Sequence, residues 1–89
     1  MIVRNLKSSR GVEVPNQFEI VDDKCRYFQS YKSIICKITD SEVILDPVYW
    51  NYSKTTSKYR NIFLNQTTKE CKAMIDSGIY KLQGLNGGN

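Results

Sequence analysis

Trp50–Leu64, WNYSKTTSKYRNIFL, is the stretch where the pattern of this chain turns helical. Within it Thr55, Tyr59, Ile62 and Phe63 recur at helical spacing, and at ~100° per residue the four cluster on one side. Lys54, Lys58 and Asn61 fall on the opposite side, with Ser57 and Arg60 beside them. Ser53 stands where its hydroxyl can cap the first turn. The reading is a short basic helix with an aromatic entry, packed by one face.

What that helix packs on lies before it. From Val12 the apolar residues alternate, as Val12, Val14, Phe18 and Ile20, which predicts strand with one face buried. Pro15 cannot donate to a ladder and marks a break, an edge or a bulge there. Asp22-Asp23-Lys24 supplies turn chemistry, and Cys25–Tyr31, CRYFQSY, reads as the next strand. Ser33–Ile38, SIICKI, is the most apolar run and is expected to be the central strand. It pairs with Val43–Leu45 across Thr39-Asp40-Ser41-Glu42. Met1–Leu6 is a short edge strand, followed by the polar loop Lys7–Gly11.

After the first helix, Asn65 and Gln66 act as a break, and Thr67 with Glu70 forms a capping box that opens a second. Cys71, Met74 and Ile75 form its inner stripe, Gly78 ends it, and Ile79–Leu82 can return as a strand. The fold class is therefore α+β: a small antiparallel meander of about four to five strands covered by two C-terminal helices. Residues 1–83 form one domain and 84–89 a flexible tail.

With 89 residues there is room for one core and no second domain. The net charge of +4 and pI near 9.0 favour anionic partners without amounting to an arginine-rich nucleic-acid arm. Cys25, Cys36 and Cys71 are odd in number and lack a C-x-x-C spacing, so they read as core thiols of a reducing compartment. No apolar run reaches the ~20 residues of a membrane span, and MIVRNLKSSR lacks the apolar centre of a signal peptide, so a cytoplasmic protein with no membrane association is expected.

The chemistry is that of a binder. Histidine is absent, which removes the commonest general base and metal ligand. The carboxylates sit in turns, and no phosphate loop, dinucleotide fingerprint or calcium loop occurs. No enzyme activity, cofactor or metal is expected. The candidate binding residues are Arg10, Trp50, Tyr52, Ser53, Lys54, Thr56, Lys58 and Arg60. The aromatics suit base stacking or a protein anchor, the cations suit phosphates or acidic side chains, and the helix start offers N–H donors and hydroxyls.

Several runs carry a family likeness over nearly the whole chain: Asn5-Leu6, Ser9-Arg10-Gly11, Asn16-Gln17-Phe18, Tyr27-Phe28-Gln29-Ser30-Tyr31, Trp50-Asn51-Tyr52-Ser53 with Thr55-Thr56, and Tyr59–Leu64. In these the chain resembles a family of small proteins encoded by phages and prophages of low-GC Gram-positive bacteria, to which no reaction is assigned. It departs from that pattern at Asn51, where an aspartate is expected, and at Pro15, where a small residue is usual. The resemblance implies a phage accessory protein, a class that includes antagonists of host defence. The expected function is that of a non-enzymatic inhibitor docking on a host bacterial protein, such as a CRISPR nuclease, in the host cytoplasm. The alternative is a small nucleic-acid- or nucleotide-binding protein. Either fits a monomer or a homodimer.

Overall fold

The alternation between Val12 and Leu45 is realised as a meander. The computed structural model describes residues 1–87, and its strands follow chain order across one sheet, β1-β2-β3-β4-β5-β6. The elements are β1 (Ile2–Lys7), β2 (Glu13–Val21), β3 (Arg26–Ser30), β4 (Ser33–Ile38), β5 (Val43–Leu45), α1 (Lys54–Leu64), α2 (Thr68–Asp76) and β6 (Tyr80–Leu82). The first five strands pair antiparallel, while β6 returns after the helices and joins β5 in parallel. The fold is α+β, with six strands because the return strand after Gly78 does pair. SIICKI occupies the interior of the sheet, between β3 and β5.

Local chemistry explains the joints. Asn16 takes a left-handed φ of 66° next to Pro15, and the β1–β2 register shifts between Asn5 and Lys7, so the proline sits at a bulge within one strand. Ser53 caps α1 by accepting the Thr56 N–H at 3.1 Å, and Asn65 ends it in the left-handed region at φ 55°. Thr67 and Glu70 complete both halves of a capping box on α2, and Gly78 follows at φ 80°.

Both helices pack on one face of the sheet. Phe28, Cys36 and Leu45 rise from β3, β4 and β5 to meet Tyr59 and Phe63 of α1 and Cys71 of α2, and all six are buried. The Phe28 and Phe63 rings stack with centroids 5.8 Å apart and pin α1 over β3. The other face carries Ile20, Tyr27, Ile34 and Ile44, around a groove of about 530 Å³ that Leu85 partly closes. Neither α1 nor α2 covers that side.

The expected inner face of α1 is corrected. Its buried residues are Thr56, Tyr59, Arg60 and Phe63, not Thr55, Tyr59, Ile62 and Phe63. Thr55 is exposed and Ile62 is 44% exposed, whereas Thr56 is 4% and Arg60 0% exposed. The inner face is turned because polar partners draw these two side chains inward. Thr56 Oγ1 shares a hydrogen bond with Ser30 Oγ of β3 at 3.1 Å, and Arg60 is held by the loop before the helix. Within 84–89, expected to be a loose tail, Leu85 and Asn86 are tied to the sheet: Asn86 exchanges side-chain hydrogen bonds with both backbone groups of Ile34. Residues 88 and 89 of that expected tail lie outside the described residues.

Candidate functional site

The loop from Asp46 to Ser53 sets the position of α1. Asp46 is fully buried, and its Oδ1 accepts the Val48 and Tyr49 N–H groups at 2.9 and 3.1 Å. Its Oδ2 accepts the Leu85 N–H at 2.9 Å and the Asn86 amide at 3.0 Å. Burial opposes its ionisation, but these donors outweigh burial and hold the carboxyl below its ordinary value. One carboxylate thus joins the loop entering α1 to the segment leaving β6.

Arg60 is the second organiser. Its Nη1 donates to the Trp50 carbonyl oxygen and, at 3.4 Å, to Asn51 Oδ1. Its Nη2 donates to Asn61 Oδ1 at 2.8 Å and Thr68 Oγ1 at 2.9 Å. The guanidinium carbon lies 5.3 Å from the centre of the Trp50 ring. Among the described residues no carboxylate pairs with it, and Nε has no partner. Its neighbours include the buried thiols of Cys36 and Cys71, which burial pushes above the ordinary thiol value despite the opposing pull of this cation. Arg60 therefore clamps the loop, α1 and α2 together and is withdrawn from the outer surface.

What remains outside is a stripe. Lys54, Thr55, Lys58 and Ile62 are exposed along α1, and Tyr52 just before it is 67% exposed, its ring tilted against that of Tyr49 at 5.5 Å. The charge on this helix is placed against its own stability. α1 has no acidic residue in its first turn and no basic residue in its last, and Lys54 stands at the positive end of the helix dipole. By contrast, α2 carries Glu70 in its first turn. A cation at that end costs about 0.3–1 kcal/mol relative to an anion. It concentrates positive potential at one place on the surface.

Beside this helix start is a pocket of about 300 Å³ lined by Ser30, Tyr31, Ser33, Ile35, Tyr49, Tyr52, Ser53 and Thr56. Tyr31 is exposed and adopts φ 55° in the β3–β4 turn, a conformation that an aromatic residue rarely takes and that hairpin turns usually give to glycine. Its N–H donates to the Asn16 carbonyl at 2.7 Å, which fixes the strained turn.

Of the eight residues singled out from sequence, Tyr52, Lys54 and Lys58 lie together on the exposed surface. Ser53 is also exposed, but its hydroxyl is engaged as the cap. Thr56 and Arg60 are buried, which corrects their placement on the contact face. Trp50 is half-buried against the core under Arg60. Arg10 is exposed on a different element, the β1–β2 turn, at the same end of the sheet. Thr55, Ile62 and Tyr31 are also exposed. Helical spacing alone turns the first two inward, and Tyr31 ends a run whose composition signals only a strand.

Residues 1–77 match a family of unknown function, DUF8033. The chain belongs to that family. Comparison with curated proteins and with solved structures gives no match. Among the described residues no helix is long and apolar enough to cross a membrane, and no three Cys, Asp or Glu side chains gather as a metal site.

Proposed function

We propose that this DUF8033 protein is a non-enzymatic inhibitor that docks on an acidic surface of a partner protein through the outer face of α1. The observation that carries the reading is Lys54 and Lys58, set at the N-terminal half of a helix that has no acidic residue there, beside the exposed side chains of Tyr52 and Ile62. In such a surface the cations steer and orient, while an aromatic and an aliphatic side chain supply most of the energy on burial. With Arg60 withdrawn, only two cations remain on the face, a small number for tracking a phosphate backbone. The resemblance to phage-encoded proteins supports a host bacterial target in the cytoplasm, and among such targets a nucleic-acid-handling nuclease such as a CRISPR effector suits a basic antagonist.

The test is affinity capture from host lysate after nuclease treatment, comparing the wild-type protein with Lys54→Glu/Lys58→Glu. A protein retained by the first and lost by the second supports the reading; recovery of nucleic acid alone contradicts it.

The tyrosine-rimmed pocket favours one second reading. Tyr31 and Tyr52 offer ring faces to a base, next to the hydroxyls and dipole of a helix start. On that reading a labelled oligonucleotide binds, and its affinity falls steeply with salt.

A further inference from the structure

The sheet has two edges of unequal character. β6 is three residues long, whereas β1 is six residues long and, among the described residues, has no strand on its outer side. Met1, Ile2 and Val3 are each more than half exposed there. A free edge of this length is a template for another strand, and exposed apolar residues on it call for cover.

The occupant can be identified from register. Val3 pairs with Ile20 and Ile20 with Tyr27, a row on the sheet face away from the helices, whereas Leu6 points into the core. If a second β1 adds antiparallel about a two-fold axis normal to the sheet, facing residues share a face, so the axis passes through Val3, Arg4 or Asn5. Centring on Arg4 sets two guanidiniums directly opposite and draws them from Glu19, which Arg4 meets at 3.3 Å. Centring on Asn5 puts Val3 opposite Lys7 and leaves Ile2 beyond the pairing. Centring on Val3 puts Val3 on Val3, Ile2 on Arg4 and Met1 on Asn5, opposes no like charges and covers all three exposed apolar residues.

We infer that the protein forms a homodimer by antiparallel β1–β1 pairing centred on Val3. The two sheets become one continuous sheet, and the Tyr27–Ile20–Val3 row runs across the seam into its copy. The inference is independent of the partner surface on α1, which lies on the helical face.

Sedimentation equilibrium across the micromolar range tests it on the full chain. The wild-type protein is expected to be dimeric, and Val3→Lys, which sets two ammonium groups across the axis, is expected to weaken dimerisation at least about tenfold with an unchanged circular dichroism spectrum. A monomeric wild type, or a dimer indifferent to Val3→Lys, overturns the proposal. Register is read separately by mild oxidation in a Cys25→Ser background. Val3→Cys is expected to form a disulfide-linked dimer and Asn5→Cys to form none; the reverse outcome overturns the Val3-centred pairing.

Discussion

Arg60 of α1 donates a hydrogen bond to the backbone carbonyl of Trp50 and stacks against the same residue's indole ring. The helix is thereby locked to the loop that precedes it, and through Thr68 to the helix that follows. A residue that reads from sequence as a surface cation is the largest fully buried side chain of the protein.

Arg60→Ala should therefore act on folding. It leaves a cavity and strips donors from the Trp50 carbonyl, Asn61 and Thr68, and should destabilise by about 3 kcal/mol or more in urea unfolding. Arg60→Lys keeps the charge but loses the planar fork and should fall between Ala and wild type. A variant with Ala at this position that is as stable as wild type would return Arg60 to the surface.

Asp46 predicts how stability depends on acid. Its carboxyl is held below the ordinary value in the folded state, so its contribution is complete above the unfolded value of about 3.9 and is lost as pH falls through the folded one. Asp46→Asn should cost about 1–3 kcal/mol at neutral pH, because an amide cannot accept all four donors. It should also flatten the loss of stability below about pH 4. Chemical unfolding of both proteins at neutral and acid pH measures the two effects.

The three thiols should separate under alkylation. Cys36 and Cys71 are buried and their thiols are held neutral by burial, while Cys25 is half-exposed. Iodoacetamide should label Cys25 first, and mass spectrometry of peptides should find the other two modified only when the protein unfolds.

Much of the fold was legible because its periodicities are local. The apolar run of SIICKI and the capping box at Thr67 each specify an element from neighbouring residues, and each stands where the sequence places it. The alternation of Val12, Val14, Phe18 and Ile20 locates a strand but not one buried face: Val12 is 61% exposed, Val14 packs on the core, and beyond the bulge at Asn16 Ile20 lies on the face away from the helices, while Gln17 is the buried residue of β2. The facing of α1 was not legible from apolar spacing. Thr56, Tyr59, Arg60 and Phe63 do repeat at i, i+3, i+4 and i+7, but half of that stripe is polar. What turns Thr56 and Arg60 inward is a hydroxyl on β3 and a carbonyl on the preceding loop, partners supplied only by tertiary structure. The same limit applies to exposure on α1 and its entry. That of Lys54, Lys58 and Tyr52 could be read from the chain, whereas that of Ile62 could not, because an isoleucine at helical spacing is ordinarily core.

The most direct test of the α1 surface pairs binding with stability in one variant. Lys54→Glu/Lys58→Glu reverses the charge of the exposed face and puts an acid at the positive end of the helix dipole. The double variant should melt at or slightly above the wild-type temperature while losing capture of its protein partner from nuclease-treated lysate. Capture equal to that of the wild-type protein would contradict the assignment of this face.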